Sequence, residues 1–594
     1  MSRLRFFSFF FLLLAAGALT FPSSTFALPK TPGPGPCPAP VGSSIDSPRE
    51  LASRNGRLQL TLRLRNSLDS SGQMSYCYLD DHGDRSPTLR LRPGDLLVLT
   101  LKNELSLPSM TEHPHQVAQP DCRSASMTMA ATNLHFHGLS ISPSCHSDDS
   151  LHVSIPPSRA FVYRVRIPRN QPPGLYWYHP HPHGHSEEQV LGGASGALIV
   201  EGIAHANPVV AGLPERIFVI RDQKLRDQKL RDQKPDSSAR TAADHDPSRP
   251  AKDLSINFIP VPYPDYPVAT IQTRPLTREL WRVLNASADT YVNLGVLFNG
   301  EWQGSGLTAV HASWQPLGLV ALDGVPVSGA SSSNLSKERE KVLWKTEILI
   351  PPGGRAEFVF QTPPEGIKAE LITAGADTNP PEDEDRDMPT AAVSGAPVAD
   401  ADDYTPPRPL ARIVSSRSAV EPPALTEGKP SASPSQRAPL ATVSPVRQRK
   451  LYFSEKVMDP KHPDTSTVFY ITEEGHIPKA FDPSALAPDI VVHQGDVEDW
   501  TIENRSTESH AFHIHQLHFL LLERDNEPAS ETYLLDTADL PYWDGASPEF
   551  PSMKLRMDFR DPDIVGLFPY HCHILQHVDG GMMGLIEVRP KRRK

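Results

Sequence analysis

Apolar and polar residues alternate with a period of two over many short stretches of this chain. Leu58–Leu64 reads LQLTLRL, Leu96–Leu101 reads LLVLTL and Phe161–Ile167 reads FVYRVRI. Successive side chains of a strand point to opposite faces, so these runs predict strands with one buried and one solvated face. Strand-like segments recur at Glu279–Asn285, Gly318–Asp323, Arg355–Phe360 and Leu410–Val414. Pro, Gly and Asn break the runs, and few segments carry a helical period. Many short strands and few helices predict an all-β protein built of packed sandwiches.

Shifts in composition divide the pattern. A first sandwich is expected over residues 45–205, a second over 206–417 and a third over 449–594, with the Pro/Ser-rich stretch 418–448 as a linker. Two low-complexity stretches, 221–250 and 377–409, interrupt the second unit and are expected to be polar loops. The first opens with a pentapeptide repeat, RDQKL-RDQKL-RDQKP, from Arg221 to Pro235. Residues 1–27 join a basic start (Arg3, Arg5) to an apolar run and the small residue Ala27, the pattern of a secretory signal peptide. The protein is therefore expected to be exported, to the periplasm or the extracellular medium, with no stable membrane anchor after cleavage. A net charge of −12 argues against a nucleic-acid partner, which needs a basic face. Of the five cysteines, Cys37, Cys77, Cys122 and Cys145 allow two disulfides in any of three connectivities. Cys122 and Cys145 flank a histidine pair.

Four histidine clusters change the picture. They are His135-x-His137, His179-x-His181, His510-x-x-His513-x-His515 and His571-Cys572-His573-x₃-His577-x₄-Met582. On a strand an H-x-H pair aims two imidazoles at one side, and neutral imidazole suits copper. Four such pairs, eight histidines in all, point to a cluster of several metal ions. Cys572 must face away from His571 and His573. With His510, His577 and a weak axial Met582 it forms the His₂Cys-plus-Met set of a blue-copper electron-transfer site. His146, His183, His185 and His518 are read as incidental.

These motifs, in this order, resemble the multicopper oxidases. Tyr176–His181 (YWYHPH), Gly192–Glu201 (GGASGALIVE), Ile350–Glu357 (IPPGGRAE) and Gly495–Asn504 (GDVEDWTIEN) add to the likeness, which covers nearly the whole mature chain. The resemblance implies three consecutive cupredoxin-like Greek-key β-sandwich domains, the middle one a spacer, and four copper ions. It implies a type 1 copper on His510, Cys572, His577 and axial Met582, and a type 2 copper on His135 and His513. A type 3 pair would take His137, His179, His181, His515, His571 and His573. Asp148 and Asp149 are the acids it suggests for supplying protons.

The activity it implies is laccase-like. Small phenolic or aromatic amine reductants would give up single electrons at the exposed edge of a type 1 histidine, and O₂ would be reduced to water. A methionine axial ligand implies a low to moderate potential, suited to easily oxidised reductants. A cuprous oxidase is the alternative; relatives of that kind carry Met-rich insertions, whereas 377–409 contains only Met388. A copper nitrite reductase would not need both histidines flanking Cys572, and a non-enzymatic cell-envelope scaffold of this fold would tolerate lost ligands, of which there are none.

Overall fold

The computed structural model describes residue 37 and residues 42–591, apart from 70–71, 107–121, 123–126, 226–248, 268, 304–305, 309–311, 328–341, 379–404, 426–438, 460–465 and 530–532. The signal-peptide reading lies outside the described residues. So does most of the two low-complexity stretches and part of the linker.

Strands hold 48% of the described residues and helices 5%, so the alternating pattern does lead to an all-β fold. Three pairs of sheets stack in series, and each pair repeats one wiring. In one sheet of each pair an early strand runs parallel to a later one: Arg57–Leu68 beside Leu96–Asn103, Glu215–Lys224 beside Arg278–Asn285, and Arg447–Val457 beside Val497–Asn504. In the other sheet a middle strand runs parallel to the closing one: Thr88–Leu91 beside Gly196–Val200, Thr270–Thr273 beside Arg408–Ser415, and Ile490–His493 beside Met583–Arg589. Parallel neighbours need a crossover, so sequential strands switch sheets and close a sandwich around each apolar core.

The five-stranded sheets of the first and third sandwiches carry the histidine motifs. In the first, Gly174–His179 pairs the edge strand His135–His137, with His135 opposite His179. In the third, Gly566–Cys572 pairs His510–Ile514, with His513 opposite His571 and Phe512 opposite Cys572.

The sandwiches are welded together. Leu175, Trp177, Ala197 and Ile199 of the first pack on Ile217, Val219, Leu284 and Ala286 of the second. Val190 and Leu191, Ala288, and Leu575, Val578 and Met583 form an apolar junction of all three.

Several expected boundaries move. Ile45 belongs to the core of the second sandwich, because residues 44–45 bond to Thr270 at its sheet edge. The first repeat copy is not loop: Arg221–Lys224 continues a strand paired with Lys252–Ile256, and buried Asp222 accepts backbone N–H bonds from Ala288, Asp289 and Thr290. Residues 408–409 likewise belong to the strand Arg408–Ser415, in the interior of its sheet. The linker is anchored at both described ends, where Leu425 bonds to Leu213 and Leu440 packs on Val497 and Leu520. Each shift has one cause, an unpaired sheet edge or an apolar side chain that captures a neighbouring polar segment.

The second core centres on Trp281, fully buried between Phe218 and Phe360, with its indole N–H on Glu279. Trp281→Ala should cost about 3–5 kcal/mol. The expected outcome is a lower midpoint for the unfolding transition in a thermal melt.

Candidate metal centres

Strand geometry brings the H-x-H pairs to one place between the first and third sandwiches. Three triplets have ligand atoms within 4.8 Å of one another: His135, His137 and His513; His137, His179 and His573; and His181, His515 and His571. All eight rings are buried. Burial pushes these imidazoles below the usual histidine range, to about 4 for His181, so they stay neutral, the form that binds metal.

Outer partners fix which nitrogen faces inward. Carbonyl oxygens only accept, so Nδ1 of His179, His513 and His571 carries the proton that bonds to Pro180 O (2.9 Å), Asp536 O (2.8 Å) and Cys572 O (2.7 Å). His135 Nδ1 lies 2.9 Å from Asp148 Oδ2, and His137 Nε2 lies 3.1 Å from Asp536 Oδ1. The opposite nitrogens are buried without a partner: Nε2 of His135, His179 and His513, and Nδ1 of His137. In the third triplet the His571 Nε2 atom lies 3.3 Å from that of His181 and 3.2 Å from that of His515. Inward-facing, unpaired imidazole nitrogens at this density are what a metal cluster would satisfy.

A fourth group lies in the core of the third sandwich. Cys572 Sγ is 3.6 Å from Nδ1 of both His510 and His577, and those nitrogens are 3.0 Å apart. Met582 is buried in the same core, its backbone tied to Cys572 (3.3 Å) and His577 (2.9 Å). Burial would lower the His577 ring, but its bonds to Cys572 and Glu508 outweigh that and push it well above the usual range.

One expectation fails here. Neither His510 nor His577, the expected type 1 ligands, has an exposed edge: His510 is 0% and His577 1% exposed. Ser506 Oγ lies 2.6 Å from His510 Nε2, Glu508 Oε2 lies 3.2 Å from His577 Nε2, and Phe469 stacks on the His577 ring at 4.3 Å. Polar and aromatic neighbours have taken the positions that solvent would occupy.

The two suggested aspartates separate. Asp148 touches His135 and also accepts from Phe136 N–H and Gln516; burial pushes its carboxyl up to about 8. Asp149 instead bonds to His152, at 2.9 Å. The motif reading missed Asp536, Ser506 and Glu508, which contact the histidines, and Arg355 and Gln516, which bond to Asp536 and Asp148. His518 is not incidental either: it is buried, 3.4 Å from Asp536 Oδ2. His183 is buried beside His181, its ring centroid 5.7 Å away.

Comparison with known proteins follows this geometry. A family model described as "Multicopper oxidase" matches residues 457–592, and a second of the same description matches 124–205. The first and third sandwiches thus carry multicopper oxidase domains. Among curated relatives, multicopper oxidase mco of Staphylococcus aureus is 33% identical over 114 residues, 18% of this chain and 23% of that protein. The match thus spans about a quarter of that relative's length. Solved multicopper oxidases share the cupredoxin-like architecture across more than nine-tenths of the chain, 93% and 92% in two of them. The Campylobacter jejuni multicopper oxidase, titled a metallo-oxidase, is 23% identical, covers 93% of this chain and 96% of its own, and superposes with a TM-score of 0.59. The laccase-like CueO of Ochrobactrum sp., titled as active towards lignin model compounds, is 19% identical over 92% of this chain and 100% of its own, with a TM-score of 0.58.

The middle sandwich also reaches the cluster. Gly353 has φ +82°, and a Cβ there would lie 2.7 Å from the His573 ring. Gly353→Ala should therefore lower copper content measured by atomic absorption. Gly212→Ala, at φ +71° with nothing within 4 Å, is expected to leave copper content unchanged and cost only about 1 kcal/mol of backbone strain.

Proposed function

We propose that this chain is a laccase-like four-copper oxidase that takes single electrons from small reductants and passes them to O₂. The observation that carries the reading is the complete donor set, in which a His₂Cys group lies one covalent step from eight converging imidazoles. In this reading His510, Cys572, His577 and Met582 would hold a type 1 copper. His135 and His513 hold type 2. The triplets His137, His179, His573 and His181, His515, His571 hold the type 3 pair. When bound, copper supplies the one-electron oxidation of reductant and the four-electron reduction of O₂ to water.

The chain's own residues do the rest. Cys572 is bonded to His571 and His573, so an electron arriving at the thiolate has a through-bond route to the cluster. The nearest acid to that cluster outside the Arg355 ion pair is Asp148, held on His135 and suited to deliver a proton. Phe469 and Phe453, packed on His577 and His510, keep water from the type 1 group.

The reductant is taken to be a readily oxidised phenol or aromatic amine, in keeping with a methionine rather than an apolar side chain among the residues that would hold type 1 copper. A second reading, oxidation of Cu(I), gains weight from the sealing of both type 1 imidazoles, which leaves no ring edge for an aromatic to stack on. The metallo-oxidase relative lends it further support. Export is supported by disulfides Cys37–Cys77 and Cys122–Cys145, which leave Cys572 free. No helix among the described residues is long and apolar enough to cross a membrane.

Oxygen uptake by copper-loaded protein, with a phenol and Cu(I) in parallel, tests the reading. Uptake with the phenol, abolished by Cys572→Ser, is the expected outcome. Uptake with Cu(I) alone would transfer the protein to metal oxidation, and a fully loaded chain consuming no oxygen with either would sink both.

A further inference from the structure

Arg355 belongs to the middle sandwich, the unit that the domain arrangement casts as a spacer. Its guanidinium nevertheless joins all three sandwiches. Nε donates to Leu175 O of the first at 3.2 Å, and Nη1 donates to Gly353 O at 3.0 Å within its own turn. The fork then grips Asp536 of the third, with Nη1 2.7 Å from Oδ1 and Nη2 bonded to Oδ2. Both side chains are wholly buried.

Asp536 meets the histidine cluster at two points. Its Oδ1 lies 3.1 Å from His137 Nε2, and its backbone oxygen accepts from His513 Nδ1 at 2.8 Å. Thr537 Oγ1 donates to the same Oδ1 at 2.9 Å. We propose that Arg355 is a positioning residue for the cluster, clamping Asp536 so that His137 turns Nδ1, and His513 turns Nε2, towards the metal ions.

The physical case starts from the fork. A carboxylate held at both oxygens by a planar guanidinium has one orientation, whereas a point charge leaves it free to swing. A carboxylate only accepts, so a fixed Asp536 requires an N–H at His137 Nε2 and leaves the lone pair on Nδ1. That Nδ1 atom is buried and has no partner. The same short turn carries Gly353, whose missing side chain makes room for the His573 ring. One turn of the middle sandwich, Pro351–Arg355, therefore sets two of the three rings in the triplet His137, His179 and His573. No residue of that turn contacts Cys572, His510 or His577 through a described hydrogen bond, so the clamp should act on the cluster and leave the type 1 group alone.

The inference rests on the four-copper reading, and the test separates the two. Arg355→Lys keeps the charge and removes the fork; Arg355→Gln removes both. Each holoenzyme would be measured for type 1 absorption, for the share of its copper that is EPR-silent because it is a coupled pair, and for kcat and KM. Arg355→Lys should fold and keep its type 1 band and its reductant KM. Its EPR-silent share should fall, and kcat should drop about 10- to 100-fold, the usual cost of losing a partner behind a metal ligand. Arg355→Gln should lose more; if it fails to fold, Arg355→Lys decides. A wild-type silent share and kcat in Arg355→Lys would overturn the proposal, since charge balance alone would then suffice. So would equal losses in the type 1 band and KM, which would mark a general packing role. A wild-type chain with no coupled copper pair would overturn the four-copper reading and the clamp with it.

Discussion

The strand Gly566–Cys572 faces a demand that only side-chain alternation can meet. Cys572 must enter the core of its own sandwich to meet His510 and His577, while His571, its covalent neighbour, must leave it to meet His181 and His515. A period of two allows this, and a helical period would not. The consequence is global. His571 can reach His181 only if the first and third sandwiches dock with these sheet faces together. The junction of Val190, Leu191, Ala288, Leu575, Val578 and Met583 holds them there. The spacing between the two candidate centres is thereby set by covalent geometry rather than by docking precision.

What was legible in the sequence was whatever is local on a strand. The H-x-H pairs and the Cys572 triplet lie within a few residues of one another, so period and spacing were enough, whereas the Asp148 candidate came from the resemblance. The three-sandwich, all-β architecture was legible for the same reason. Arg355 and Asp536 were not: they are 181 residues apart, and Asp536 is 399 from His137. Nothing in the local pattern around LLDTADL distinguishes Asp536 from a turn aspartate. The first RDQKL copy misled because repetition reads as loop, whereas the edge offered by Lys252–Ile256 recruits Arg221–Lys224 into a ladder. The exposed histidine edge came from resemblance rather than from residues, and Ser506, Glu508 and Phe469 replace solvent there.

The middle sandwich is more than a spacer because the two outer ones alone leave charge unbalanced. Asp536 is buried beneath the cluster, and an isolated buried carboxylate costs several kcal/mol. Among the described residues, the guanidinium that balances it is Arg355 of the second sandwich, and Asp323 and Gly353 of the same unit complete the network. Glu357, two strand positions from Arg355, binds Arg282 and accepts from Leu175 N–H, a second tie between the middle and first sandwiches.

The energetics of the whole run against the cluster and in favour of its contents. Unpartnered, desolvated imidazole nitrogens each cost of order 1–3 kcal/mol, and eight rings converge here. The three apolar cores and their welded interfaces must carry that cost in the absence of metal. Metal that binds the folded state and not the unfolded chain returns it as stability. The same outer bonds that lock the tautomers, from Asp148, Asp536 and the carbonyls of Pro180 and Cys572, prevent the rings from turning to find other partners. The folded chain is thus held in a conformation that is poor for itself and good for a cation, and copper loading and thermal stability become one linked quantity.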